Sequence, residues 1–310
     1  MDEIDGVRAS KKAKWNVKKR LEFIEFRLFW DAKLNRKDLV DTFGISAQQA
    51  SADIATYEEM GPQNLAYDSA QKTYLRTDRF SPKLIGAWTH RYLLQLVAIE
   101  NGWMDAEDTW FEDEQPVEIK TLTRKRVDSQ VLMSVLDAIR ERKSLEMFYR
   151  SMTGSTASDR LIEPHALSYN SGRWYVRAWS AEHNDFRDYN LNRIERANAG
   201  VPASIDRALD FQWHHTIDLV IIPNPELPKE RQAAVEYEYE MSDGKIEVNC
   251  RLSVSFYLMS EHNLDVEPGV LDPLKQQLVL KNKDEVLQTR TVARKLSKDA
   301  LKRIGGSDHS

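Results

Sequence analysis

At Ser144 the spacing of apolar residues changes, and the change divides the chain into different kinds of structure. Before it, apolar side chains recur at helical intervals. Val17, Leu21, Ile24 and Leu28 share one face, and Leu132, Val135, Leu136 and Ile139 share another within 128–142. After it, the runs Leu145–Arg150, Leu161–Tyr169, Trp174–Trp179 and Phe186–Ile194 have period two and are separated by turn residues, which predicts short antiparallel strands. From 206 to 310 strand-like and helix-like stretches alternate, including a strand-like 246–257 and a basic helix near 284–303. Helices first, strands next and a mixed tail imply an α+β chain of several domains. A length of 310 residues suffices for two or three, each with its own core.

Charge locates the surface of interest better than its total does. The chain carries a formal −5, which argues against a general nucleic-acid coat. Residues 1–37 nevertheless hold eleven Lys/Arg against six Asp/Glu, while residues 99–118 hold eight Asp/Glu and no Lys/Arg. A local basic surface, followed by an acidic linker or exposed loop over 105–116, is the expectation. The single cysteine, Cys250, excludes an intrachain disulfide framework or a cysteine-based zinc site. The first turns are charged and lack the apolar core of a signal peptide. The apolar stretch Tyr92–Ile99 lies between Arg91 and Glu100 and is too short to span a bilayer. A soluble cytoplasmic protein with no membrane partner is expected.

The order of elements near the N-terminus points to DNA. Residues 1–14 read as a polar, flexible arm, and a helix is predicted from Trp15 to about Lys33. Asn35 can cap a short second helix closed by Gly44. Ser46 can cap a third helix from Ala47 to about Met60, with Ala50, Ile54 and Tyr57 inward and Gly61-Pro62 as its stop. The β-prone pieces Leu65–Tyr67 and Thr73–Leu75 then form a hairpin, and Ser81-Pro82 opens a fourth helix through about Asn101. Helix, short helix, turn, helix, hairpin is the order of a winged helix-turn-helix, whose recognition helix enters the major groove. Ser46, Gln48, Gln49 and Ser51 lie at that helix's start, where base edges are reached; a glutamine pairing bidentately with adenine is worth roughly 1–3 kcal/mol of discrimination. Lys18, Lys19 and Arg20 on the first helix, and Lys72 and Arg76 on the wing, are the candidate phosphate contacts. The recognition helix itself has no Lys or Arg, and it carries Asp53, Glu58 and Glu59.

Four ordered motifs in the middle of the chain resemble the WYL domain family of bacterial regulators. They are Phe148-Tyr149-Arg150-Ser151, Glu163-Pro164-His165-Ala166-Leu167, Trp174-Tyr175-Val176 followed by Arg177-Ala178, and Phe186-Arg187-Asp188-Tyr189-Asn190-Leu191-Asn192-Arg193-Ile194. Val176 replaces the family's usual Leu. The resemblance covers about 128–205 and implies an Sm-like β-barrel with a pocket lined by Tyr149, Ser151, His165, Arg177, Arg187 and Arg193, with Trp174 and Tyr175 supporting core and pocket. Residue chemistry allows an anionic ligand there, because guanidinium forks suit phosphate or carboxylate. Arg187 and Arg193 can equally pair with Asp188 and Glu195.

With the winged helix in front and about 100 residues behind, the whole chain resembles WYL-type repressors of the BrxR and CapW kind, encoded beside phage-defence systems. That resemblance implies a homodimer on an inverted-repeat, double-stranded DNA operator; from the residue chemistry of the pocket, control by an anionic nucleotide or oligonucleotide effector is the expectation. The expected division is 1–80 winged helix-turn-helix, 81–127 helical and acidic linker, 128–205 WYL, and 206–310 a C-terminal α+β extension serving dimerisation. No phosphate loop, dinucleotide fingerprint, metalloprotease helix or nucleophile elbow occurs. His214 and His215 are sequence neighbours and would point different ways on a strand, which argues against a metal pair. No cofactor, metal or catalytic residue is expected. The rival reading is an accessory protein that binds single-stranded nucleic acid through its WYL module and regulates a partner enzyme.

Overall fold

The computed structural model describes residues 2–84, 89–111, 117–120, 122, 124–152 and 157–306, with side chains from Asn16 to Ile304 within those ranges. The chain divides into two compact units, Met1–Thr123 and Arg124–Ser310.

The first unit is built on α1 (Asp2–Trp30), β1 (Lys33–Leu34), α2 (Arg36–Phe43), α3 (Ala47–Met60), the hairpin β2 (Leu65–Asp68) and β3 (Thr73–Arg76), and α4 (Thr89–Glu100). The backbone is helical from Asp2, where a flexible arm was expected. α2 stops because Gly44 takes φ 62°, ψ 30°, a left-handed conformation that glycine adopts without Cβ strain. α3 starts because the Ser46 hydroxyl accepts the Gln49 N–H at 3.1 Å. β1 joins the wing as a third strand, in the order β1-β3-β2. Leu21, Ile24 and Leu28 of α1 are buried with Leu39, Ala50, Ile54, Tyr57 and Leu65, whereas Val17 is exposed.

Two further expectations fail in this unit. The fourth helix does not open at Ser81: 81–84 has no regular secondary structure and is tied down by buried polar groups, and the described helix is Thr89–Glu100. Asn64 exchanges hydrogen bonds with the Ser81 backbone at 2.9 Å each way, and Glu25 accepts the Lys83 and Leu84 N–H groups at 2.7 and 2.6 Å. Residues 85–88, which the fourth-helix expectation also covered, lie outside the described residues. The acidic stretch is not simply a linker either. Trp110 meets Phe23 and Phe26 edge-on, and Phe111 packs against Phe26 and Tyr92. Aromatic burial outweighs the acidic composition here; residues 112–116 of that stretch are outside the described residues.

The second unit opens with α5 (Ser129–Glu141), capped by the Asp128 carboxylate, which accepts the Gln130 and Val131 N–H groups at 2.8 and 3.3 Å. Its Val131, Val135 and Ala138 are buried, while Leu136, expected inward, is exposed. α5 lies on β4 (Lys143–Tyr149), β5 (Ser158–Asn170), β6 (Arg173–Ser180), β7 (Asp185–Asn190) and β8 (Ile194–Pro202), a five-stranded antiparallel sheet in the order β7-β6-β5-β4-β8. The expected barrel is a curled sheet whose edge strands β7 and β8 are not paired with each other. A 3-10 turn, Leu191–Arg193, carries the chain between those edges. A register shift between Pro164 and Ala166 bends β5. The curl brings Tyr149 of β4 edge-on to Tyr189 of β7 at 5.2 Å.

The C-terminal module contains α6 (Phe211–His214), β9 (Thr216–Pro223), α7 (Lys229–Glu238), β10 (Ile246–Arg251), α8 (Leu252–Glu261), β11 (Leu278–Leu280) and α9 (Lys283–Gly306). Its antiparallel sheet, β10-β9-β11, buries Leu219, Ile221, Leu278 and Leu280 with Val235, Met259 and Val286. The strand-like 246–257 splits at Arg251, where α8 begins. No helix among the described residues is long and apolar enough to cross a membrane.

Candidate DNA-reading face and ligand-sensing sheet

The start of α3 presents a polar face. Ser46, Gln48 and Gln49 are exposed and Ser51 is half-buried. Gln48 makes no hydrogen bond among the described residues, whereas the Gln49 amide donates to Asp53 at 3.0 Å and so has its direction fixed. The Ser51 hydroxyl donates to the Ala47 carbonyl and accepts from Arg36 at the first turn of α2. Arg36 and its neighbour Lys37 are exposed beside this face. Sequence reading passed over both; their signal was two cations at the start of the helix that precedes a recognition helix.

The candidate phosphate contacts separate into free and engaged groups. Lys18 is exposed, with Glu22 3.8 Å away. Lys19 is held by Glu22 at 3.3 Å and lies 5.6 Å over the Trp110 ring. Lys72 is exposed at the wing tip. Arg76 is exposed, yet its guanidinium donates to the Phe29 carbonyl at the end of α1. Arg20 departs furthest from expectation. It is buried and grips Asp53 through Nε and Nη2 at 2.6 and 3.1 Å, so its fork is spent inside the unit instead of on phosphate.

Alternation along β6 and β7 sorts the residues attributed to the WYL pocket onto two faces. Tyr175 and Arg177 stand on the outer face with Asp188, because Arg177 pairs with Asp188 across the strands. The C-terminal module covers that face. Arg177 donates to Asp210 through Nε and Nη2 at 2.7 and 3.0 Å and to Asp188 through Nη1 at 3.2 Å. His165 Nε2 lies 3.0 Å from Asp210 Oδ2, and Tyr257 of α8 donates to Asp188 at 3.3 Å while packing on Tyr175. Burial works against the charge of Asp210, yet His165 and Arg177 hold its carboxyl below the usual range. Asp188 is pushed upward by burial, against the pull of Arg177. His165 and Arg177, with Tyr175 beside them, therefore join two modules, which departs from the expectation of an open pocket: each nitrogen of the Arg177 guanidinium already donates to Asp210 or Asp188, and Nη2 also to Gln212 at 3.4 Å.

The inner face at the β7 edge keeps unspent donors. Arg187 of β7 is half-buried and its Nε has no hydrogen-bond partner. Arg160 of β5, missed in the sequence, also has a buried Nε without a partner, although its guanidinium reaches Glu182. Burial first, then the positive charge of Arg187 and Arg160, holds the nearby His183 ring below its usual range. Tyr149, with its hydroxyl accepting the Asn190 N–H at 3.3 Å, and Tyr189 line the same curl. Arg193 is half-buried, its carbonyl accepting the Arg150 N–H at 3.0 Å, one residue from half-buried Ser151. No group of His, Cys, Asp and Glu suited to a metal ion occurs among the described residues.

Family models match in the same order as these modules: the BrxR transcriptional regulator winged helix-turn-helix domain over 16–98, the WYL domain over 130–199, and the BrxR transcriptional regulator C-terminal dimerization domain over 216–286. Three proteins described as "DNA-binding transcriptional repressor CapW" are similar over most of their length. The Escherichia coli (strain KTE188) protein is 33% identical across 92% of this chain and 95% of its own. The Pseudomonas aeruginosa protein is 34% identical across 88% and 92%, and the Stenotrophomonas maltophilia protein 31% identical across 90% and 94%. A solved structure, proteasome accessory factor B/C of Arthrobacter aurescens, matches at 13% identity and a TM-score of 0.25 over 91% of this chain and 49% of that one, and carries no argument here. A winged helix, a WYL sheet and a dimerization module, with relatives of this identity and coverage, place the chain in the BrxR- and CapW-type family of DNA-binding transcriptional repressors.

Proposed function

We propose that this repressor acts in the cytoplasm as a homodimer on an inverted-repeat operator of a phage-defence operon, and that an anionic nucleotide or short oligonucleotide bound at the inner face of the WYL sheet releases it. Ser46, Gln48, Gln49 and Ser51 read bases; Lys18, Lys19, Lys72, Arg76 and Arg36 meet phosphates. Arg187 and Arg160 take the anion, with Tyr149, Ser151 and Arg193 around it.

The observation that carries the ligand half is the contrast between arginines on the two faces. Every guanidinium nitrogen of Arg177 is engaged by Asp210 or Asp188, whereas Arg187 and Arg160 each keep a buried Nε with no hydrogen-bond partner. A buried unpaired donor is unfavourable by about 1–3 kcal/mol, and an anion removes that penalty. The ligand must bind the DNA-competent and released conformations unequally to have any effect.

The test is a titration of the protein–operator complex with mononucleotides and 5′-phosphorylated oligonucleotides at fixed salt, with scrambled duplex and single strand as controls. Release of specific duplex by one of them, lost in Arg187→Ala, supports the reading. Operator release that persists in both Arg187→Ala and Arg160→Ala refutes the ligand site. Preference for single strand without duplex specificity refutes the operator reading.

A further inference from the structure

We propose that the outward face of α4 seats the same face of a second copy of this chain, the two helices running antiparallel across a two-fold axis and forming a seam between the two winged-helix units. The inference rests on the homodimer in the reading above and adds an interface outside the C-terminal dimerization module.

The inner side of α4 is already fixed. Tyr92 stacks on Trp30 at 3.7 Å and 10° and meets Phe26 and Phe111, and it is the only buried residue of the helix. The other side is apolar and open. Leu93 and Leu94 are 57% and 56% exposed, and half-buried Val97 lies one turn further on. Leu93 and Leu94 adjoin on one helix, where exposed apolar residues on a monomer are usually scattered singly.

The order of side chains on this face selects the occupant. His90, Leu93, Leu94, Val97 and Glu100 follow spacings of three and four, with His90 and Glu100 exposed at the two ends. About the level of Gln95 the stripe is its own antiparallel complement: His90 faces Glu100 and Leu93 faces Val97, each pair occurring twice. Antiparallel helices also bring the positive end of one dipole to the negative end of the other. A face that repeats itself under a two-fold rotation is what an isologous contact requires.

Size sets the conditions. Twelve residues of helix span about 18 Å, too little for the roughly 1,200 Å² of a free-standing interface. The seam therefore forms where another contact already holds two copies together. A family C-terminal dimerization module matched over 216–286 supplies that contact, raising the local concentration of the second α4 to about the millimolar range. Its consequence is a fixed separation of the two α3 helices.

The test uses the full chain with Cys250→Ser, so that an introduced thiol is the only one. Leu94→Cys is treated with a short bismaleimide at micromolar protein, beside Glu58→Cys, which puts an exposed thiol on α3. Covalent dimer from Leu94→Cys, roughly fivefold or more above Glu58→Cys and abolished by adding Leu93→Glu, is the expected result. Crosslinking no greater than that of Glu58→Cys, with light scattering still reporting a dimer, overturns the seam and leaves the homodimer standing. A monomer by light scattering overturns both.

Discussion

Arg177 of β6 and Asp210, which precedes α6, are joined by two N–H···O bonds of 2.7 and 3.0 Å, and Asp210 is fully buried. This pair fastens the WYL sheet to the C-terminal module, with His165, Asp188 and Tyr257 around it. Removing one partner strands the other. Asp210→Ala is expected to destabilise the second unit by about 3–5 kcal/mol, the range for breaking a buried ion pair. Urea unfolding followed by tryptophan fluorescence measures it; a loss below about 1 kcal/mol would mean the network is not a joint.

The two aspartates beside Arg177 are expected to respond to acid in opposite senses. Asp210 is held below its unfolded value of about 3.9, so its contribution is present above that pH and lost as pH falls through the folded value. Asp188 is raised by burial, so it binds its proton more tightly when folded, and its contribution declines as pH rises from about 3.9 through the folded value. Asp210→Asn should flatten the loss of stability in acid, and Asp188→Asn should steepen it. Urea midpoints at intervals between about pH 3 and about pH 7 distinguish the two, and identical profiles for both variants contradict the assignment.

Gln48 and Gln49 are neighbours with different tasks. Gln48 is exposed with no hydrogen bond among the described residues, while the Gln49 amide is pinned at 3.0 Å by Asp53. Gln48→Ala should leave the unfolding temperature unchanged and weaken operator binding by roughly tenfold, about 1–2 kcal/mol, with scrambled duplex unaffected. Fluorescence anisotropy on both duplexes reads the difference. Equal weakening on the two would make Gln48 a phosphate contact.

Arg36 stands at the start of α2 beside Ser51, 3.3 Å from its hydroxyl. As a phosphate contact it acts on every sequence alike. Arg36→Ala should weaken operator and scrambled duplex together and lower the slope of log affinity against log salt by about one. An unchanged slope removes Arg36 from the interface.

The sequence carried the order of elements because each has a local cause. Gly44 and Ser46 bracket a turn through their own backbone and side-chain chemistry, and the strands announce themselves by alternation. Long-range pairing left no such trace. Nothing near Arg177 in the chain points to Asp210, and nothing near Arg20 points to Asp53. Composition also misdirected: Trp110 and Phe111 sit beside acidic residues yet dock on Phe26. Arg160 lies outside the four motifs and joins Arg187 only because the sheet curls.

Arg20 and Asp53 show how a charge can look like a DNA contact and act as a strut. The pair is buried between α1 and α3, with Nε–Oδ2 at 2.6 Å, and the same carboxylate aims Gln49. Asp53→Ala should cost about 3–5 kcal/mol, because it leaves a buried guanidinium alone. Replacing both partners, Arg20→Met with Asp53→Leu, should restore most of that stability, since apolar residues of similar volume can stand in for a buried pair. The double variant still loses the group that orients Gln49, so it should fold normally and discriminate operator from scrambled duplex less well than the natural chain. Thermal unfolding and paired binding measurements separate the effects. A double variant with full stability and full discrimination would show that Asp53 does not position Gln49, and one as unstable as Asp53→Ala would show that the loss arises from packing and not from the stranded charge.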